Sequence, residues 1–171
     1  MKEIVRYPHC FVCGEKNSSG LQAKFFERDG VAETEIVAEP SFEGYKGIYH
    51  GGIISALLDE VMIKAVLAQG IYAVTAEITV RYHRPVAIGE KLKFYGRIVS
   101  KRRRLFSTEG EVVGKDGTLC ASATGKYVEA AEELKSRLVQ STETQSPTSF
   151  RKSEDSEKSD QGCNLRVFNM G

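Results

Sequence analysis

The chain has 171 residues, of which 41% are hydrophobic and 27% charged, and its formal net charge is +1. Such a composition is typical of a globular protein, with no surplus charge that would favour binding to nucleic acid or to a membrane surface. No apolar run approaches the roughly 20 residues that cross a bilayer, and residues 1–7 lack the apolar core of a secretory signal. We therefore expect a cytoplasmic protein with reduced cysteines.

Composition divides the chain into three segments. Residues 1–20 form an N-terminal segment with a cysteine pair, residues 21–140 have globular patterning, and residues 141–171 are mostly polar. The polar segment contains too few apolar side chains to offset the entropy lost on ordering. The sequence therefore predicts one domain over residues 21–140, followed by a disordered tail.

The domain begins with a predicted β-hairpin. Residues 21–27 and 31–38 have strand composition, and they flank the pair Asp29-Gly30, which tolerates the positive φ angles of a tight turn. A loop then leads to an apolar stretch with helical spacing, which predicts a helix over residues 52–69.

Strands dominate the sequence after this helix. Residues 72–84 alternate between two faces, which indicates a half-buried strand. One face would carry Val74, Ala76, Ile78, Val80 and Tyr82, and the other Thr75, Glu77, Thr79, Arg81 and His83. Three further strands and a short amphipathic helix are predicted at residues 91–100, 105–113, 118–128 and 129–140. Because strands and helices do not alternate, the order favours an α+β fold, with an antiparallel sheet wrapped around one helix.

The long predicted helix is apolar around nearly its whole circumference, which indicates that it is buried. Glu60 and Lys64 are four residues apart, so we expect them to form an ion pair at its one exposed edge. Asp59 points about 100° away from Glu60 and has no cation three or four residues away. It is either a functional carboxylate or one that is hydrogen-bonded to Ser55 or to another strand, and the sequence leaves both interpretations open.

Three residues at the start of this helix, His50-Gly51-Gly52, add a second candidate feature. The first N–H groups of a helix have no partner within it and lie at the positive end of its dipole. Two glycines leave these groups uncovered, so they are able to hold an oxyanion. The alternative is a tight turn from loop to helix with no further role.

The run from His50 to Glu60, HGGIISALLDE, resembles the signature of hotdog-fold thioesterases of the phenylacetate-pathway type, which are related to the 4-hydroxybenzoyl-CoA thioesterases. The resemblance covers about residues 21–128, and the segment around Cys10 and Cys13 resembles the N-terminus of one branch. It implies a curved antiparallel sheet wrapped around one long central helix. It also implies hydrolysis of an acyl-CoA thioester to a free acid and coenzyme A, with no cofactor.

The resemblance further implies roles for individual residues. The thioester carbonyl would lie at the helix N-terminus, with the Gly51 N–H as oxyanion donor, Gly52 shaping the turn and His50 placing the thioester. Asp59, supplied by the opposing subunit, would activate water or attack directly, and Thr75 would orient the water. The protein would be a homodimer, or a homotetramer built as a dimer of dimers, with its sites at the subunit interface.

Coenzyme A carries phosphates that cations recognise. The basic run Lys101-Arg102-Arg103-Arg104 lies at a predicted hairpin turn and would supply such cations, or it is a solvated turn. Two other functions on the same fold remain open: a non-catalytic acyl-CoA binding or sensor module, and an enoyl-CoA hydratase.

The pair Cys10-x-x-Cys13, with His9 beside it, is half of a zinc or redox motif. A structural zinc site usually takes four ligands from two such pairs, and the second pair is missing. Redox chemistry of the thioredoxin type requires a βαβ context, which is also missing. Nothing in the spacing indicates that His83 or Cys120 completes a site. The sequence therefore favours a packing role for the pair and predicts no metal site.

Overall fold

The computed structural model describes residues 1–142, which form an antiparallel sheet with a long helix across it. The strands are β1 (Lys2–Glu3), β2 (Phe26–Arg28), β3 (Val31–Val37), β4 (Ala73–Tyr82), β5 (Lys91–Arg102), β6 (Leu105–Gly114) and β7 (Leu119–Glu129). The helices are α1 (Gly51–Leu67) and α2 (Glu132–Gln140), and a 3-10 turn covers Pro40–Phe42. Nearly all of the predicted disordered tail, and with it Cys163, lies outside the described residues.

The strand order across the sheet is β1-β2-β3-β5-β6-β7-β4, and every neighbouring pair is antiparallel. Strand β4 is therefore an edge strand that pairs only with β7 among residues 1–142. Helix α1 packs against β3, β4, β5, β6 and β7. This arrangement confirms the predicted α+β fold, in which a curved antiparallel sheet wraps around one long central helix. Neither helix of the described segment is long and apolar enough to span a membrane.

The first hairpin was predicted correctly at its turn but not along its first strand. Asp29 and Gly30 have φ angles of 52° and 81°, as a tight turn requires. Strand composition extends over residues 21–27, yet β2 begins only at residue 26. The Leu21 N–H donates instead to the Phe11 carbonyl at 2.8 Å. The N-terminal segment thus takes a donor that a longer strand would have used.

Helix α1 is buried nearly all round, as its apolar circumference predicts. Its fully buried side chains are Leu57, Leu58, Val61, Met62 and Val66. Strand β5 approaches the backbone of α1 closely at Gly96, where a Cβ atom would lie 2.4 Å from the Val61 carbonyl oxygen. A glycine at this point therefore allows the sheet and the helix to pack together.

We expect Gly96→Ala to lower the free energy of unfolding by about 1–3 kcal/mol, because the added methyl forces apart two packed backbones. Urea unfolding followed by circular dichroism measures the change. Ser100→Ala, at the exposed end of the same strand, is the matched control and should leave stability unchanged. Equal stability of the two variants would contradict a tight approach of β5 to α1.

The ion pair between Glu60 and Lys64 is present, but the prediction that it lies at an exposed edge was wrong. The Lys64 side chain is 1% exposed, and its Nζ atom lies 3.4 Å from Glu60 Oε1. The same Nζ atom donates to the Val5 carbonyl and lies over the rings of Tyr7 and Phe25. The N-terminal segment covers this edge of α1, which the spacing of the helix alone does not reveal.

Candidate active site

The first turn of α1 holds one backbone donor without a partner. His50 caps the helix, and its Nδ1 atom accepts the Gly52 N–H at 2.9 Å. Because it accepts this hydrogen bond, Nδ1 carries no proton of its own. The Gly51 N–H, by contrast, has no hydrogen-bond partner within residues 1–142. These positions line a cavity of about 650 Å³, so the positive end of the helix dipole lies at an open space.

Tyr82 on β4 contacts this end of the helix, and no motif in the sequence points to it. Its hydroxyl donates to the Gly51 carbonyl at 2.7 Å and is also hydrogen-bonded to Ser55 Oγ. Ser55 is thus engaged by Tyr82 and not by Asp59. The contact holds the Gly51–Gly52 peptide group, which is adjacent to the one that carries the free N–H.

A second cluster centres on Asp59. The Thr75 hydroxyl donates to Asp59 Oδ1 at 3.0 Å and lies 3.3 Å from Oδ2. The Tyr127 hydroxyl donates to Oδ1 at 2.9 Å and lies 3.1 Å from the main-chain carbonyl of Asp59. The structure thus brings together Asp59 and Thr75, both singled out in the sequence, and adds Tyr127 from β7.

Tyr127 is a permanent donor to this carboxylate. Its side chain is fully buried, and burial together with the nearby charge of Asp59 raises the pKa of its phenol far above the usual value. The phenol therefore stays protonated over the whole physiological pH range. No motif points to Tyr127, since its role follows from a strand pairing more than 60 residues from Asp59 along the chain.

A β-bulge turns Thr75 towards α1. Thr75 pairs with Tyr127 and Glu77 pairs with Lys126, so β4 has one extra residue, Ala76, at this point. Strict alternation places Thr75 and Tyr82 on opposite faces, yet both side chains contact α1. The prediction of two uninterrupted faces was therefore wrong, because the bulge exchanges them between residues 75 and 77.

The Asp59 cluster borders a cavity of about 400 Å³ whose walls include Tyr7, Cys10, Glu60 and Thr75. The hydrogen bond from the Cys13 thiol lowers the pKa of Cys10 to about 6. Besides the carboxylates of Asp59 and Glu60, the cavity wall therefore carries a thiol whose neighbour favours its deprotonated form.

The two clusters belong to separate parts of the chain's surface. Gly51 and Asp59 are eight residues apart on α1, which corresponds to about 12 Å along the helix axis. A carboxylate and an oxyanion donor that act on one carbonyl must both approach within about 3 Å of the reacting atoms. Within one chain, Gly51 and Asp59 are therefore too far apart to act on the same carbonyl group.

The basic run lies near the Asp59 cluster and away from the start of α1. It covers the last two residues of β5 and the two-residue turn to β6, at the sheet end where Ala73 pairs with Glu129. Arg104 donates to the Glu129 carbonyl, and Lys101 Nζ lies 4.8 Å from the centre of the Phe106 ring. The two remaining members, Arg102 and Arg103, make no ion pair or hydrogen bond through their side chains within the described residues.

Arg84 lines the cavity at the start of α1 and forms an ion pair with Glu90. This hydrogen-bonded contact lowers the pKa of the Glu90 carboxyl below its ordinary value of 4.5. Glu90 also accepts the Ala87 N–H at 3.3 Å. The pair thereby closes the loop after β4 that forms one wall of the cavity.

We expect Glu90→Gln to lower the free energy of unfolding by about 1 kcal/mol at neutral pH. Because the folded-state pKa of Glu90 is lowered, its stabilising effect is present above the unfolded-state pKa and is lost as pH falls through the folded value. The difference between variant and wild type should therefore shrink on going from pH 7 to about pH 3. Urea unfolding at both pH values measures it, and an equal difference at both would contradict the assignment.

The chain resembles proteins of known family. A family model described as the thioesterase superfamily matches residues 46–121, a span that includes Gly51, Asp59 and Thr75. An uncharacterized protein of Schizosaccharomyces pombe is 30% identical over 121 residues, which cover 63% of this chain and 66% of the yeast protein.

Solved structures share the fold. RHA08564, described as a thioesterase superfamily protein, has 30% identity and a TM-score of 0.67, and the match covers 71% of this chain and 61% of that one. A mutant of the phenylacetic acid degradation protein PaaI from Thermus thermophilus has 27% identity and a TM-score of 0.58, and the match covers 63% and 93%. The chain thus spans just under two thirds of the length of the yeast protein and of RHA08564. By its sheet, its central helix and these matches, the chain is similar to the hotdog-fold thioesterases.

Proposed function

We propose that the protein is an acyl-CoA thioesterase, which hydrolyses an acyl-CoA to a free acid and coenzyme A. The observation that carries this proposal is the Asp59 carboxylate, which two hydroxyl donors hold at the wall of a cavity. The match of residues 46–121 to the thioesterase superfamily model supports it as well. The fold is also that of a hypothetical thioesterase from Streptococcus pneumoniae, solved with coenzyme A, to which this chain is 21% identical with a TM-score of 0.61.

In the proposed reaction the thioester carbonyl oxygen lies against the free Gly51 N–H at the start of α1. As oxygen attacks the carbonyl carbon, the developing oxyanion is stabilised by this N–H and by the helix dipole. His50 and Gly52 shape the turn that exposes the donor. The C–S bond then breaks, coenzyme A leaves as the thiolate, and it takes up the proton lost from the attacking water.

Asp59 supplies the base for this step, or it attacks the carbonyl itself through a transient anhydride. Thr75, which donates to the carboxylate, lies where it is able to orient the attacking water. A single turnover in ¹⁸O-water tests for the anhydride. Water that opens the anhydride at the Asp59 carbonyl leaves ¹⁸O in the Asp59 side chain, a result that general-base catalysis never gives, because it places all of the label in the acid product.

We further propose that each complete site takes its Asp59 from a second copy of the chain. The outer edge of β4 has no partner among residues 1–142, and an unpaired edge is a template for another strand. Along β4, Tyr82 lies beside Gly51 and Thr75 lies beside Asp59. Two-fold antiparallel pairing centred near Ile78 sets the Tyr82 end of one copy against the Thr75 end of the other. Gly51 of one copy and Asp59 of the other are thereby brought together in a homodimer, or in a homotetramer made of such dimers.

We propose that the phosphates of coenzyme A bind to the basic run Lys101-Arg102-Arg103-Arg104. The guanidinium groups of Arg102 and Arg103 have no ion pair within the described residues, so they are available to phosphate oxygens. The turn lies at the Asp59 end of the sheet. In the proposed dimer it therefore belongs to the same subunit as the carboxylate that serves the site.

A thiol-release assay with short, medium, long and aryl acyl-CoAs tests the proposed activity and ranks the substrates. Turnover of at least one class supports the thioesterase proposal. Tight acyl-CoA binding without turnover would favour a binding or sensor module instead. Loss of the enoyl-CoA absorbance without thiol release would favour a hydratase.

We propose a cytoplasmic location for the protein. The three cysteines of the described segment, Cys10, Cys13 and Cys120, are free thiols. Thiols that persist in this form are typical of reducing compartments. Fractionation of cells, with detection of the protein in the cytosolic fraction, tests this point.

A further inference from the structure

Three potential metal ligands meet beside the Asp59 cavity. The thiols of Cys10 and Cys13 and the carboxylate of Glu60 place their ligand atoms within 4.8 Å of one another. Cys10 Sγ lies 3.9 Å from Glu60 Oε2, Cys13 is fully buried, and the other two side chains are partly buried. The residue that joins the cysteine pair therefore comes from the middle of α1, 50 positions along the chain from Cys10.

The two other side chains considered as ligands in the sequence, Cys120 and His83, lie elsewhere. The Cys120 thiol donates to the Thr118 carbonyl, and the His83 ring is hydrogen-bonded to Ser122. The missing second cysteine pair argues only against a zinc site whose ligands are all Cys or His. Glu60 removes this objection, because carboxylates are also zinc ligands.

The loop around the cysteines is folded so that both sulfur atoms face α1. The Val12 N–H donates to Cys10 Sγ at 3.3 Å, and the Gly14 N–H donates to the Cys10 carbonyl at 3.0 Å. A Cβ atom at Gly14 would lie 2.5 Å from that carbonyl oxygen, so only glycine allows so tight a loop. Hydrogen bonds from the backbone to sulfur stabilise the thiolate form that metals bind.

We propose that Cys10, Cys13 and Glu60 bind a zinc ion. Zinc takes sulfur ligands at about 2.3 Å and carboxylate oxygens at about 2.0–2.2 Å in a tetrahedron, so neighbouring ligand atoms stand about 3.5–3.8 Å apart. The 3.9 Å between Cys10 Sγ and Glu60 Oε2 is close to this separation. Three protein ligands leave the fourth position to water. Cys10 and Glu60 line the cavity that also contains Asp59, so this position borders the cavity.

Lys64 balances the charge of such a site. Two thiolates and one carboxylate carry three negative charges, which the zinc ion and the buried ammonium group of Lys64 neutralise together. Lys64 Nζ contacts Glu60 Oε1, whereas the other oxygen, Oε2, faces Cys10. The ammonium group therefore leaves free the oxygen that the metal uses. The ion ties the N-terminal segment to α1 at the point where this segment covers the helix.

Metal titration of the reduced, chelator-treated full chain tests the proposal independently of any enzymatic activity. Cobalt(II) is the spectroscopic probe, because it gives a thiolate-to-metal charge-transfer band, and zinc is then added as a competitor. We expect one equivalent of cobalt per chain, displaced by one equivalent of zinc, and a rise in Tm with zinc.

Single variants locate the site. Cys10→Ser, Cys13→Ser and Glu60→Gln should each weaken zinc binding by at least about 100-fold, since the loss of a residue that only supports a ligand already costs about 10–100-fold. Cys120→Ser, which removes a buried thiol at another place in the sheet, should keep wild-type affinity. Circular dichroism confirms that each tested variant is folded.

Three outcomes would overturn the proposal. One is a folded, reduced wild-type protein that shows neither the charge-transfer band nor zinc binding. A second is zinc binding that persists unchanged in Cys10→Ser and Glu60→Gln. The third is a Cys10–Cys13 disulfide in the isolated protein with no metal uptake after reduction, which would assign the pair to redox chemistry instead.

Discussion

Asp59→Asn is expected to lower kcat for acyl-CoA hydrolysis by about 10²–10⁴-fold, the usual contribution of a general base. The substitution removes the negative charge and the basicity but keeps an oxygen that accepts from Thr75 and Tyr127. The local structure should therefore survive, with an unchanged circular dichroism spectrum. Thiol release with the best substrate of the wild type measures the effect.

Glu77→Gln is the matched control for this variant. Glu77 is also an acidic residue near Thr75 on β4, but it is exposed and pairs with Lys126 at 2.9 Å on the face away from α1. Its kcat should equal that of the wild type. An Asp59→Asn enzyme that kept full activity would exclude Asp59 both as base and as nucleophile.

Gly51→Pro is expected to lower kcat by about 10²–10³-fold, as the loss of one oxyanion donor does in other hydrolases. Gly51 is the first residue of α1, a position at which proline is tolerated because its N–H has no partner within the helix. His50 has φ −65° and ψ 127°, an extended conformation that the residue before a proline readily adopts. The substitution therefore removes the donor while the helix stays in place.

Gly51→Ala separates the loss of the N–H from the presence of a side chain. A Cβ atom at this position lies 3.4 Å from the ring of Tyr82, which is an ordinary contact, and the backbone N–H remains. Its kcat should stay within about tenfold of the wild-type value, well above that of the proline variant. Equal activity of the proline and alanine variants would mean that the Gly51 N–H takes no part in the reaction.

Mixing the Gly51→Pro and Asp59→Asn variants tests whether the site is shared between subunits. If each site combines Gly51 of one chain with Asp59 of the other, a mixed dimer of Gly51→Pro and Asp59→Asn has one intact site. Random reassembly of equal amounts, by joint unfolding and refolding, should then restore about a quarter of the wild-type activity. If both groups of a site came from one chain, no activity would return.

Local sequence patterns predicted the features of this molecule that depend on neighbouring residues. The apolar circumference of α1, the Asp29-Gly30 turn and the strands after the helix follow from periodicity and from turn chemistry. The position of Asp59 on a buried helix follows in the same way. The alternative that it is hydrogen-bonded to another strand also holds, because its donors come from β4 and β7.

Features that depend on contacts between residues far apart along the chain could not be predicted from the sequence. The bulge at Ala76 shows only as one extra residue in the register with β7, so alternation assigned Thr75 to the wrong face. The burial of Lys64 results from a segment about 60 residues earlier in the chain. Tyr127 belongs to no motif, and its contact with Asp59 depends on the pairing of β7 within the sheet.

The two hydroxyl contacts to Asp59 have an entropic consequence. The phenol of Tyr127 bridges the carboxylate and the main-chain carbonyl of the same residue, and Thr75 donates to the same carboxylate oxygen, Oδ1. The torsions of Asp59 are therefore restricted to one rotamer before any ligand arrives. Side chains lose roughly 0–2 kcal/mol of conformational entropy on burial, and the restriction of Asp59 costs a fraction of this. The cost arises when the chain folds, so it does not add to the activation barrier of the reaction.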